Sequence, residues 1–493
     1  MSDETRALEP VKFPRYERRG IFMGLKWYQL GLVATGILAA IIASASGGPV
    51  GLAATAPVWL SLVLVGVLQY SRIPYPIWAT LIVLFFVRSV LGQTTYLVRP
   101  DRPIKAGQLA LPGGLGNLRL QPLSRGECVV LDSQGREAVI VLRCSTRSFA
   151  LLDDDDKAWA AQAWSRVQAG LAQRSDIARM TVQDYTVPYP SSALQDFYDR
   201  TVPAVDSERS SWGQMAYQDL ISAAGSAMSH DVLLSLVVDT SKSRRRIKES
   251  GGKKNGLERL LRLEVAAITT SLSSHGVRVE EWLSESGLLE VFRGAFDPET
   301  VSKRSGRKRD GEPSNAAGPL RHSSGPMAAE EHWTYLRTDT GFHQTFWVAE
   351  WPRQKVYPGF LHPLVYVGDF RHTVTQVIRA VPTLEALRDI RSAQEAHETR
   401  RRINARFDRP TTREQRAEEE EVSQREEEIV AGHGDVRPTA FVTITASTLE
   451  DLARHRHELE SAAAGAFVEL RVLAGQQWAG FIAGGLPLGR GLR

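Results

Sequence analysis

The sequence predicts an N-terminal transmembrane helical hairpin followed by α+β cytoplasmic regions with ferredoxin-like βαβ elements. Three observations carry this expectation. Residues from Trp27 to Leu91 are almost all apolar, strand and helix patterns alternate beyond Arg99, and a strand-helix-strand-helix series runs from Thr439 to Ala483. At 493 residues the chain is too long for one ordinary core. Hydrophobic residues make up 43% and charged ones 24%, the average of a soluble globular protein, so the uneven placing of the apolar residues speaks against a polytopic transporter. A net charge of +4 is small for this length and gives no argument for nucleic acid by itself.

Residues 1–27 form a basic leader. Tyr28 to Ser46 is uncharged over about 19 residues, near the roughly 20 that a helix needs to cross hydrocarbon. A turn at Gly47-Gly48-Pro49 precedes a second uncharged stretch, Gly51 to Tyr70, so residues 28–70 read as a hairpin. The long mixed-charge leader argues against a cleaved signal peptide. Lys12, Arg15, Arg18, Arg19 and Lys26 precede the hairpin, and Arg72, Arg88, Arg99, Arg102 and Lys105 follow it, while its loop has no basic residue. Both ends are therefore expected in the cytoplasm, with the chain multi-pass in a bacterial inner membrane. Within residues 71–99, Ile77 to Val87 is apolar for only about 11 residues before Arg88, which suits an interfacial helix; a short tilted third span is the alternative. Two cysteines, Cys128 and Cys144, exclude a disulfide framework and point to a reducing compartment.

A first α+β region is expected over residues 100–298. Glu127 to Asp132 and Arg136 to Ser145 alternate around Ser133-Gln134-Gly135 and predict a β-hairpin. Asp153 to Asp156 open a helix reaching about Gln173, where acidic residues satisfy free N–H groups and oppose the macrodipole. Strands follow at Ala178–Val187 and Asp231–Thr240, with helical sequence over Ser191–Met228, broken near Pro203, and over Leu257–Ser274. Residues 299–330 lose their apolar residues and read as a flexible basic linker.

A second α+β region is expected over residues 331–493. It opens on an aromatic hairpin around Thr338-Asp339-Thr340-Gly341, with strands near Leu364–Val367 and Arg371–Ala380. Thr383 to about Val430 is densely charged and reads as a long solvated helix. Thr439–Ala446, Leu449–Ala464, Val468–Leu473 and Gln476–Ala483 complete the series as strand, helix, strand and helix.

Motifs of catalysis are missing. The pattern GxxxxGK[ST] does not occur, Gly251-Gly252-Lys253-Lys254-Asn255-Gly256 lacks its spacing, and Gly113-Gly114-Leu115-Gly116 is not a GxGxxG. HExxH and GxSxG do not occur either. His455 and His457 lie two apart on a predicted helix, so they point to different faces and read as exposed residues. His343, His362 and His372 are the residues that could converge on a metal, and Cys128 and Cys144 read as buried fillers. No catalytic, cofactor-binding or metal residue is assigned. Two basic loops remain as contacts for anionic lipid or nucleic acid: Arg244, Arg245, Arg246, Lys253 and Lys254 in one, and Lys303, Arg304, Arg307, Lys308 and Arg309 in the other.

The order of a leader ending GLKWYQL, a hairpin, and a helix ending FFVRSVLGQTTYLVRPDR resembles the small two-helix inner-membrane subunit of type IV secretion and conjugation machines. From Phe342 onward, FHQTFWVAEWPRQKVYPGFLHPL, EEEIVAGHGDVR, TAFVTITA and GQQWAGFIAGGLPLGRGL resemble the N-terminal domain of the large ATPase of the same machines. The resemblance covers most of the chain, weakly in the middle, and implies an actinobacterial-type fusion of the two without the motor, since the chain stops at Arg493. It implies a non-catalytic subunit, without cofactors, that docks a separate P-loop ATPase in trans. Its other implied partners are further inner-membrane secretion subunits, membrane lipids and copies of itself, with nucleic acid left open. The two-helix membrane subunit of a type VII secretion system is the alternative.

Overall fold

The computed structural model describes residues 26–70, 73–98, 118–132, 134–146, 149–174, 176–188, 211–223, 228–274, 276–299, 325–381, 383–406, 413–430 and 435–490, with isolated positions between them. The basic leader through residue 25, the break near Pro203 and the stretch 300–324 lie outside the described residues. The chain forms two compact units, one of residues 15–95 with 474–476 and the other of the remainder.

In the first unit a helix runs from Trp27 to Ala54, kinked at Gly48 (φ 58°, ψ −151°) ahead of Pro49. A second helix, Ala56–Val67, folds back against it. Glycine makes that approach close: a Cβ on Gly36 would lie 2.8 Å from Val63 Cγ2, and one on Gly66 2.8 Å from Val33 Cγ2. Gln29, buried in this apolar setting, donates from Nε2 to the Gly66 carbonyl at 2.9 Å. The outer face shows Ile37, Leu38, Ile41 and Ile42. Trp27–Ala54 is the one described helix long and apolar enough to cross a membrane. A second span is not shown by the helix bounds: Ala56–Val67 alone has 12 residues, about 18 Å of helix against a bilayer core of about 30 Å. Two-residue strands Gln69–Tyr70 (β1) and Ile73–Pro74 (β2) then lead to a 16-residue helix, Tyr75–Val90, longer than the apolar run because it takes in Arg88.

The second unit is an α+β structure built on an antiparallel sheet. After Thr95–Leu97 (β3), its strands are Arg119–Pro122 (β4), Cys128–Leu131 (β5), Glu137–Thr146 (β6), Ile177–Pro188 (β7), Met228–Asp239 (β8), Val277–Trp282 (β9), Ala328–Glu331 (β10), Leu336–Arg337 (β11), Phe342–Glu350 (β12), His372–Val381 (β13), Asp435–Ala446 (β14) and Glu469–Val472 (β15). They pair in the order β10-β11-β12-β14-β13-β7-β8-β6-β5-β4, with β15 on β12 and β9 on β6. Strands from residues 100–298 and 331–493 thus share one sheet, joined where β7 pairs β13 from His372↔Thr186 to Ile378↔Met180.

Alternation along each strand sends side chains to two buried faces. On one face Ile140, Leu142, Leu234, Leu236 and Met180 pack under helices Asp154–Ala172 and Lys253–Ser273. Farther along this face Phe346, Val442 and Ile444 pack under helix Leu449–Gly465. On the opposite face Val139, Val141 and Val237 meet Phe292 and Phe296 of helix Glu285–Phe296 and Phe481 of helix Gln477–Gly485. The sheet is therefore the middle of three layers.

Several local expectations change. Asp153 caps helix Asp154–Ala172 in position but makes no side-chain cap hydrogen bond, so Asp154, Asp155 and Asp156 act on it through charge. The strand expected at Leu364–Val367 is a helical turn, His362–Val365, begun by Pro363. The strand β10 begins inside the stretch expected as linker. The long charged helix is two helices, Thr383–Arg406 and Arg413–Val430, and Pro410 stands between them in the sequence. They lie antiparallel, zipped by Arg401 Nε to Glu419 Oε1 at 2.8 Å and Gln394 Nε2 to Glu426 Oε2 at 2.6 Å, over a small core of Ala386, Ile390 and Ile429.

Candidate functional site

The middle of the sheet is polar on the face covered by the C-terminal helix. Thr345 (β12), Thr443 (β14), Thr375 (β13), Thr181 and Gln183 (β7) and Ser235 (β8) are all buried there. Buried carbonyls at a helix end or outside regular structure need donors, and side chains of β7, β8 and β13 supply them to Gly484–Arg490. Thr375 Oγ1 donates to the Gly484 carbonyl at 2.7 Å, and Gln183 Nε2 donates to the same oxygen at 3.1 Å. Tyr185 donates to the Gly485 carbonyl, Ser235 Oγ to the Pro487 carbonyl at 3.0 Å, and Arg179 to the Gly489 carbonyl. Upstream, Gln477 accepts from the Thr345 N–H at 2.9 Å and donates to the Thr345 carbonyl at 3.2 Å, pinning the helix start to β12. Leu486 and Leu488 sink into the apolar core on either side of this polar line.

Glycine is required where the segment touches the sheet. A Cβ on Gly484 would lie 2.7 Å from Thr443 Oγ1, and Gly489 combines φ +58° with a Cβ position 2.5 Å from Val237 Cγ2. Two polar atoms of β7, Thr181 Oγ1 and Gln183 Oε1, have no hydrogen-bond partner among the described residues.

A second buried polar cluster sits at the start of β12. Thr338 Oγ1 donates to the Phe296 carbonyl at 2.6 Å, so it must accept from His343 Nε2, 2.7 Å away. With the ring neutral, His343 Nδ1 accepts from Thr445 Oγ1 at 2.9 Å. Burial, with the Arg371 cation nearby, pushes its pKa down to about 3. Arg371 donates to the Gly294 carbonyl at 2.7 Å, and burial lowers its own pKa to about 10. Arg293 holds Asp297 and Asp339, and Thr340 donates to Asp297 at 2.6 Å.

The three histidines that could have converged do not. His343 pairs with Thr445 and His372 with Ile444, so adjacent positions of β14 send the two rings to opposite faces of the sheet. His372 is buried with a ring nitrogen 2.9 Å from each of the Phe370 and Val365 carbonyls, while His362 packs edge-on against Phe149 and Tyr366. Among the described residues no group of three His, Cys, Asp or Glu side chains could hold a metal. His455 is buried rather than exposed, stacked on Phe370 at 4.2 Å, whereas His457 is exposed. Cys128 and Cys144 are free and buried on opposite faces, and burial pushes the Cys144 thiol up to about 12.

The first basic stretch is helical instead of a loop. Arg244, Arg245 and Arg246 lie on helix Arg244–Glu249, and Lys253 and Lys254 open the next helix. A Cβ on Gly256 would lie 2.1 Å from the Ile247 carbonyl, so glycine lets these helices meet. Arg246 is engaged by Asp176 and Glu264, and Arg245 by Glu249 at 2.8 Å, while Arg244 and Lys254 face solvent. Lys303, Arg304, Arg307, Lys308 and Arg309, and the side chain of Lys253, lie outside the described residues.

The polar line under Gly484–Arg490 was not singled out from the sequence. Its signal is the alternation of polar residues in strands buried on both faces, as in Thr181, Gln183 and Tyr185 or Thr373 and Thr375, beside a glycine-rich ending.

Replacing Thr375 by Val keeps the shape and removes one donor to Gly484. The expected loss is about 1–2 kcal/mol in urea unfolding, with faster hydrogen exchange confined to residues 477–490. Because His343 is neutral in the fold and titrates near 6.5 when unfolded, the unfolded chain binds the extra proton as pH falls below about 6.5. Stability is expected to drop by about 2 kcal/mol between pH 7 and pH 5 on this account, and His343→Gln should flatten that slope; an unchanged slope would assign it elsewhere. No protein-family model and no curated protein matches the chain.

Proposed function

We propose that the protein is a non-catalytic inner-membrane structural subunit of a conjugation or type IV-like secretion apparatus, on which a separate P-loop ATPase docks. The reading rests on one combination. The sequence from Phe342 onward resembles the front half of the ATPase of such machines, and its hallmark residues serve as structure: His343, Gln477 and the run Gly484–Gly489 are consumed in buried packing and hydrogen bonds. No P-loop pattern occurs in the 493 residues. The charged two-helix pair, Thr383–Arg406 with Arg413–Val430, is the surface we assign to the docked ATPase, because it carries dense exposed charge over a small core of its own. The helices between β8 and β9 and between β14 and β15, each crossing one antiparallel strand, support a ferredoxin-like reading of both regions.

The apolar unit would anchor this platform as a hairpin, with Gly36 and Gly66 allowing its two helices to pack and apolar side chains turned toward lipid. Arg244 and Lys254, both exposed, would be the contacts for anionic lipid or nucleic-acid phosphate.

Two measurements test the reading. The purified protein is expected to hydrolyse no ATP alone and to retain the P-loop ATPase encoded beside it in pull-downs, with binding weakened at least tenfold by Arg400→Glu and Arg401→Glu together; intrinsic hydrolysis, or no retention, would refute docking. For topology, single cysteines at Ser46 and Ser314 are treated in intact cells with an impermeant thiol reagent. Labelling at Ser46 alone supports the hairpin, and labelling at Ser314 overturns it. Cleavage of the chain after the first apolar helix would instead identify a signal sequence.

A further inference from the structure

We infer that the sheet unit is a pseudo-dimer fused into one chain, two copies of one fold that exchange their tails. The strand order repeats, although helix Asp154–Ala172 between β6 and β7 has only the turn His362–Val365 as its counterpart between β12 and β13. Strands β4-β5-β6, β7, β8, a long helix, β9 and helix Glu285–Phe296 are followed by β10-β11-β12, β13, β14, a long helix, β15 and helix Gln477–Gly485. In each copy the third strand lies between the strands before and after the long helix: β6 between β8 and β9, and β12 between β14 and β15.

The register repeats residue by residue. Val139↔Val237, Ile140↔Leu236 and Val141↔Ser235 in the first copy correspond to Thr345↔Thr443, Phe346↔Val442 and Trp347↔Phe441 in the second, the same offset of 206 in both strands. Met180↔Leu236 corresponds to Val374↔Val442, an offset of 194 for β7 and β13. Both copies shift register near the same end of this strand, with the extra residue in β9 at Glu280 in the first and in β12 at Ala349 in the second. Such agreement in strand order and register does not arise from two unrelated folds sharing an edge.

The copies meet about a two-fold axis. The offset of 194 carries Thr181 to Thr375 and Gln183 to Val377, and the pairs Gln183↔Thr375 and Thr181↔Val377 therefore exchange. Val182↔Gln376 lies on the axis. This is the isologous contact of a homodimer, residue i to j and j to i, made within one chain.

Tails cross the axis in both directions. After helix Glu285–Phe296 the first copy's tail binds the β11–β12 turn of the second, through Thr338 to the Phe296 carbonyl and Thr340 to Asp297. The second copy's tail binds the first: Ser235 holds the Pro487 carbonyl, and Arg490 pairs with Asp132 of the β5–β6 turn at 3.1 Å. The two turns correspond, Gly135 and Gly341 being 206 apart. Each copy is thus completed by the other, so the covalent link through residues 300–324 is dispensable once the unit has folded.

The test cuts the full chain in detergent. A tobacco etch virus protease site is inserted after Ser314, the protein is purified intact, and the site is cleaved to completion. Both fragments are expected to co-elute at the size of the uncut protein and to melt in one transition within a few degrees of it; fragments that separate without denaturant overturn the pseudo-dimer. Tail exchange is read with Asp132→Cys/Arg490→Cys, bridged by a short bis-maleimide before cleavage, since the buried Cys128 and Cys144 stay unreactive. A bridged product that keeps the uncut mass after cleavage, under denaturing conditions, supports exchange. Two separate fragments overturn it, and so does a bridge in Asp339→Cys/Arg490→Cys, which would place the second tail on its own copy. Neither result depends on any secretion partner.

Discussion

An irregular stretch of backbone can lie against the middle of a sheet only if each carbonyl it buries meets a donor. That constraint organises the sheet unit. The segment Gly484–Arg490 crosses β13, β7 and β8, and Thr375, Gln183, Tyr185, Ser235 and Arg179 turn their donors to its oxygens. Because those strands belong to both halves of the chain, satisfying one segment also holds the β7–β13 junction in register. Leu486 and Leu488 add apolar burial between the hydrogen bonds, so the contact is stabilised by area as well as by directed polar groups.

The same economy governs the charged and titratable groups. His343 is kept neutral by burial and by the Arg371 cation, and its two ring nitrogens face the hydroxyls of Thr338 and Thr445. Arg293 binds the end of one helix to the turn that opens β12 through Asp297 and Asp339, and Arg371, just before β13, holds the Gly294 carbonyl of the same helix. Groups of types that perform chemistry elsewhere are here committed to holding strands and tails together. The apolar unit is governed by a different rule: its helices need glycine at Gly36 and Gly66 to approach, and outward side chains such as Ile37, Leu38, Ile41 and Ile42 stay exposed among the described residues.

Much of this was legible along the chain. Hydrophobic alternation located β5, β6, β7, β8, β13 and β14 within a few residues, and helix periodicity located Lys253–Ser273 and Leu449–Gly465, because both signals are local and survive any tertiary arrangement. Misreadings came where one residue overrides a pattern or where a pattern lacks a length scale. Pro363 turned an apolar stretch into a helical turn, and charge density alone did not reveal that Thr383–Val430 doubles back to pair Arg401 with Glu419. His455 looked exposed because its neighbours are charged, yet its place on the helix puts it over Phe370.

By itself, then, the sequence determined the uneven split between an apolar N-terminal unit and an α+β remainder, the type of most elements, and the lack of a P-loop pattern. Only the tertiary structure decided which strands are neighbours. Strand periodicity says which residues share a face, but nothing local says that Gln183 lies beside Thr375, 192 residues away, or that His343 and His372 fall on opposite sides of one sheet. Edge pairing is selected by the whole set of buried surfaces closing at once, and the repeat, its two-fold axis and its exchanged tails exist only at that level.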